Sequence, residues 1–125
     1  MSEWQTVQTS VNAANGSLSS AVQPARVCQY VVHHHTGYGE PHFDLMIDLG
    51  GEGLATWRVA TWPPDRDTLF EPIAEHRRAY LDYEGPTASG RGEVRRVERG
   101  TCEVRARRVR FQETWHDLGG PAGPV

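Results

Sequence analysis

The run His42–Leu49, HFDLMIDL, alternates strictly: Phe43, Leu45, Ile47 and Leu49 fall on one side, His42, Asp44, Met46 and Asp48 on the other. Side chains repeat every two residues in a strand and every 3.6 in a helix, so no helix gathers those four apolar residues onto one face. The flanking TGYGEP and GGEG segments are turn-formers, which caps the strand at both ends. RVCQYVV before it and LATWRVATW after it are β-branched and aromatic runs of the same kind. GEVRRVERGTCEVRARRVRF reads as a hairpin turning at Arg99-Gly100, with a bulge near Arg107 and Arg108 where the alternation slips. The stretch PPDRDTLFEPIAEHRRAYLDYEG is ambiguous: its middle suits a helical turn and RAYLDYE suits a strand. With 13 Gly and 8 Pro in 125 residues, short strands and many turns are expected: one mainly β domain, a compact barrel or sandwich.

Residues 1–25 are rich in Ser, Asn, Gln and Ala and offer little to bury, so they are expected to form a flexible N-terminal arm. The domain is then expected over 26–114, followed by a flexible tail over 115–125. No apolar run is long enough to span a bilayer and no leader-like segment is visible, which points to the cytoplasm and away from a membrane. Cys28 and Cys102 lack a CxxC partner and read as reduced, buried small residues. The net charge of −3 excludes a uniformly basic nucleic-acid surface. Acids dominate from Glu40 to Pro86, whereas arginines dominate from Arg91 to Arg110, which leaves room for one basic face. All the Lys and Arg positions are arginine. That suits bidentate phosphate contacts, but a coding bias would produce the same pattern. The Arg95–Arg110 hairpin is read mainly as a solvated strand face.

The polar side of the alternating strand carries the chemistry. His42 and Asp44 share it, and His35 ends the preceding strand where its imidazole can reach the same place. His76, in AEHRRAY, is a third imidazole from a distant part of the chain. Imidazole nitrogen with carboxylate oxygen suits Mn, Zn, Fe or Ni better than calcium, and three protein ligands leave positions open for water or substrate. Spacing alone leaves a metal site and a solvated polar cluster equally open. His33 and His34 are assigned to the surface, Trp57 and Trp62 to the core or the pocket rim, Glu84 and Gly85 to a turn.

These residues carry a resemblance. YVVHHH…HFDLMID resembles the opening motif of the 3′-phosphoesterase domain of bacterial DNA ligase D. The similarity continues through TWRVATWP and through EHRRAYLDYEGPTASGRGEVRRVERGTCEV, covering roughly Arg26 to Phe111. It implies a small antiparallel β-barrel with one or two short flanking helices. It also implies a divalent-metal enzyme, usually manganese-dependent, with zinc or another transition metal as alternatives. Such an enzyme removes a terminal ribonucleoside and then the 3′-phosphate from DNA or RNA–DNA ends in repair. By motif the metal ligands are His35, Asp44 and His76. His42 is the donor or general acid beside the phosphate, and Tyr80 is a hydroxyl partner to it. A monomer serving a DNA ligase or other end-joining machinery is the partnership implied.

The chain also departs from that pattern. The loop from His35 to His42 is one residue longer, and Met46, Thr61 and Thr68 stand where the family has phosphate-contacting cations. Charge developing on a transferred phosphoryl group must be met by cations or fixed donors. Arg58 is the leading substitute, followed by Arg91, Arg77 and Arg78, each of which also reads as a solvated surface arginine. Two other classes stay open: a non-catalytic metal- and DNA-end-binding module, and an iron(II) oxygenase using His42-x-Asp44 with a distal histidine.

Overall fold

The computed structural model describes residues 24–87 and 90–119, so the expected arm falls almost wholly outside the described residues. Eight strands are present: β1 (Arg26–Thr36), β2 (His42–Ile47), β3 (Gly53–Val59), β4 (Glu71–Arg77), β5 (Gly85–Pro86), β6 (Glu93–Arg105), β7 (Arg108–Phe111) and β8 (Thr114–Asp117). Among the described residues the 3₁₀ turn Arg78–Leu81 supplies most of the helical content. All pairings are antiparallel, in the order β4-β3-β2-β1-β6-β7-β8, with β5 added to β6. The chain is therefore mainly β. Its single sheet curls into a half-barrel that begins at β4 and ends at β8. No helix of the described residues is long and apolar enough to cross a membrane.

The sheet buries both faces, unequally. Cys28, Tyr30 and Val32 of β1, Leu45 and Ile47 of β2, and Trp57 and Val59 of β3 enter a large core with Phe70, Val104, Val109, Phe111 and Leu118. Phe43 and Leu49 pack against it, so all four apolar residues of the alternating strand share that side. On the other face Val31, Met46 and Leu54 form a small second core roofed by Tyr80 and Leu81 of the 3₁₀ turn. Arg78 ties this roof down, donating to Asp48 Oδ1 at 2.9 Å and to the Gly51 carbonyl at 3.1 Å. Beyond the roof the same face opens into the pocket described below.

Three expectations change. β6 runs straight through Arg99-Gly100, and the turn falls at Ala106-Arg107, where the alternation slips. Gly100 is a strand residue that pairs with Tyr30 of β1. RAYLDYE begins in the 3₁₀ turn rather than a strand. The third change concerns residues 115–118, which are not a tail. β8 pairs with β7, Leu118 is buried, and Trp57 Nε1 donates to the Leu118 carbonyl at 2.6 Å. An indole at the centre of a core needs an acceptor, and this short strand brings it one.

Cys28 and Cys102 face each other across β1 and β6 as free thiols. Burial raises both, Cys102 to about 12, which leaves them unreactive.

Candidate metal centre

The β1–β2 register builds the site. His33 pairs with Asp44 and His35 with His42, and residues directly opposite in an antiparallel ladder project from the same face. One hairpin therefore presents three imidazoles and a carboxylate together. His76 arrives from β4, opposite Leu54 of β3, on that same face.

Asp44 is the hub. It is 2% exposed, and three imidazole nitrogens surround it: His42 Nε2 at 3.3 Å from Oδ1, and His35 Nδ1 and His76 Nε2 each at 3.7 Å from Oδ2. Each imidazole uses its other nitrogen on a backbone carbonyl. His35 Nε2 donates to Arg91 at 2.7 Å, His42 Nδ1 to Glu40 at 2.9 Å, and His76 Nδ1 to Ala74 at 3.1 Å. Such a bond fixes the tautomer, so in the neutral ring the nitrogen turned toward Asp44 carries a lone pair. Buried His42 Nε2 and Asp44 Oδ1 have no hydrogen-bond partner despite their closeness. Two buried lone-pair atoms side by side repel unless a cation or a proton lies between them. Such a group could hold a divalent ion, and its donor atoms fit one.

The tightest set is His35, His42 and Asp44, whose donor atoms all lie within 4.8 Å of one another. The motif-based assignment instead took His35, Asp44 and His76 as ligands and left His42 beside the phosphate. His42 lies directly opposite His35 in the ladder, and His76, from two strands away, stands as close to Asp44 as His35 does. His76 instead pairs with Asp44 from the flank. Burial opposes protonation of His76, but the hydrogen bond and charge of Asp44 outweigh it and raise its pKa. Burial likewise pushes Asp44 up, yet the His76 hydrogen bond and the neighbouring imidazoles bring it below the usual carboxylate value.

His33 was assigned to the surface and is not there. It is 1% exposed, its ring edge-on to Tyr80 at 6.0 Å, and burial lowers its pKa to about 4. The signal was present in the sequence, since His33 shares the strand parity of His35.

The cluster lines an open cavity of about 760 Å³. Tyr80 lines it, edge-on to His76 with ring centroids 5.7 Å apart. Arg58, which pairs with Asp44 in the β2–β3 register, lines it with Arg77 and Arg91; Arg78 is instead held by Asp48. The three cation departures also have places. Met46 is fully buried in the second core, where a charge would be costly. Thr61 is exposed in a bend. Thr68 is hydrogen-bonded to Asp65 and lines a separate cavity of about 330 Å³ with His116. Four of the seven arginines from Arg95 to Arg110 are paired on the surface, as Arg95–Glu93, Arg99–Asp82, Arg108–Asp117 and Arg110–Glu103.

Two loops frame the site by a backbone crossing. Gly92 has φ +82°, and a Cβ there would lie 2.1 Å from the Thr36 carbonyl oxygen. Gly92→Ala is expected to cost about 3 kcal/mol, combining a left-handed conformation with a backbone clash. Thermal unfolding measures this, and an unchanged midpoint would show that the crossing does not brace the domain.

Comparison with family models and with characterised proteins finds no match for this chain.

Proposed function

We propose that this protein is a metal-dependent 3′-phosphoesterase-like enzyme acting on phosphorylated or ribonucleotide 3′ ends of DNA. One observation supports this above the rest: histidines oriented by backbone carbonyls turn their remaining nitrogens onto one buried carboxylate, at the wall of a cavity bearing three arginines. His35, His42 and Asp44 would hold the ion. Manganese is the first choice from the resemblance to the ligase D phosphoesterase domain, and two imidazoles with a carboxylate also suit zinc or another transition metal. A bound divalent ion supplies Lewis-acid polarisation of the phosphoryl oxygen.

The remaining chemistry belongs to the chain. Arg58, with Arg77, holds non-bridging phosphate oxygens and offsets their charge. Water adds to phosphorus as the bond to the 3′ oxygen breaks, and that oxygen takes up a proton. His76 stands at the cavity wall to give that oxygen its proton, and Tyr80 orients the phosphate beside it. In this arrangement His42 is a ligand, and its donor role passes to His76. The product is a 3′ hydroxyl, the group a ligase or polymerase of end-joining machinery requires. Reduced thiols at Cys28 and Cys102 suit a cytoplasmic protein.

A second reading, a non-catalytic module that binds metal and DNA ends, is favoured by the burial of Met46, which removes one family cation from the pocket. The oxygenase reading is set aside, because one curled sheet is not the paired-sheet helix that chemistry uses. Release of inorganic phosphate from a 3′-phosphorylated oligonucleotide with Mn²⁺ separates the readings. The wild type is expected to turn over and His42→Ala to lose at least 100-fold in rate. Mn²⁺-dependent oligonucleotide binding with no phosphate released would instead establish the binding module.

A further inference from the structure

A large aromatic ring stands in water at the mouth of the same cavity. Tyr38 is 54% exposed. It sits in the β1–β2 loop between Gly37 at φ +85° and Gly39 at φ +70°, so the backbone is bent to present the ring outward rather than to pack it. The Arg91 guanidinium lies over that ring, its carbon 5.7 Å from the centroid. Both residues line the cavity that holds His35, His42 and Asp44.

The position of this pair is fixed relative to the ligand cluster. The Arg91 carbonyl accepts the His35 hydrogen bond at 2.7 Å. The two loops also cross at Gly37 and Gly92, where a Cβ on Gly37 would come within 3.1 Å of the Gly92 Cα. One short segment thus orients a candidate ligand through its backbone and carries a planar cation on an aromatic plate through its side chain. By contrast, the other exposed tyrosine of this region, Tyr83, spends its hydroxyl on the Pro86 carbonyl.

We infer that Tyr38 and Arg91 form a platform that stacks the terminal nucleobase of the substrate, making the protein selective for nucleotide ends over bare sugar phosphates. Stacking on aromatic and guanidinium planes is tolerant of base identity, because every base offers a π face. The platform therefore selects for the presence of a base and not for its sequence. This inference rests on the 3′-end reading above and names the part of the substrate that reading leaves open.

The experiment compares two 3′-phosphorylated oligonucleotides, one with a normal terminal nucleotide and one with an abasic terminal residue, by fluorescence anisotropy with Mn²⁺. Wild type is expected to bind the normal end about tenfold more tightly. Tyr38→Leu is expected to bind both alike while keeping wild-type Mn²⁺ affinity, Tyr38→Phe to keep the preference, and Arg91→Ala to weaken it. Equal binding of both ends by wild type, or an undiminished preference in Tyr38→Leu, overturns the platform and leaves the phosphoesterase reading standing. A preference for the base without any phosphate release overturns that reading and leaves the platform standing.

Discussion

Asp44→Ala is expected to abolish the stabilisation that Mn²⁺ gives the protein. A ligand at a hundred times its dissociation constant adds about 2.7 kcal/mol to a folded state. For a domain of this size that corresponds to a rise of roughly 10–20 °C in the unfolding midpoint. The wild type should show such a rise and Asp44→Ala none, with metal affinity reduced at least 100-fold and phosphate release lost with it. The reason is geometric: Asp44 is the one group in contact distance of all three imidazoles. Metal-free, the variant should still fold, because Asp44 sits outside both apolar clusters. Its own burial opposes its charge, so removing it relieves a desolvation cost as well as losing ion pairs. His76 provides a second readout. Without Asp44 the main group that opposes its burial is gone, so its pKa should fall, as proton resonance titration would show. A Mn²⁺-induced midpoint shift of wild-type size in Asp44→Ala would remove the metal centre from this account.

Ending the chain at Thr114 should be nearly as damaging to stability. Read along the sequence, residues 115–125 carry Gly and Pro and look dispensable; in the fold they include most of β8 and the buried Leu118. Losing Leu118 forfeits about 2 kcal/mol of burial. It also orphans the Trp57 indole N–H, which donates to the Leu118 carbonyl, at a further 1–3 kcal/mol or so. A total near 4 kcal/mol is a large share of the 5–15 kcal/mol typical of a small domain, and corresponds to a fall of about 20 °C in the midpoint. Denaturant unfolding of the shortened chain measures this directly. A midpoint within a few degrees of wild type would return these residues to the status of a tail.

The two results test different kinds of inference. Asp44 was found from a local pattern, a polar residue at strand parity beside His42, and the structure adds only the partners that reach it. Leu118 was missed because nothing near it in sequence alternates: Gly119 and Gly120 follow, and its partner Trp57 lies 61 residues away. The hairpin error has the same origin. Arg99-Gly100 looks like a turn to any local reading, but Gly100 pairs with Tyr30 of β1, 70 residues away. The assignment of His33 to the surface is of another kind, since its parity with His35 was legible and went unused. Met46 shows the limit of alternation itself. It lies on the polar side of its strand, yet the 3₁₀ turn from residues 78–81 covers it and makes that side a second core.

What the amino-acid sequence determined alone is the strands β1, β2 and β3 and the side on which His35, His42 and Asp44 project. Side-chain alternation is a property of the extended backbone and needs no distant contact. Which imidazoles close on Asp44, and in what order, was decided only by tertiary structure. Ladder register places His42 opposite His35, and the curl of the sheet brings His76 in from two strands away. Both are long-range pairings, set by how the cores pack rather than by any neighbouring residue.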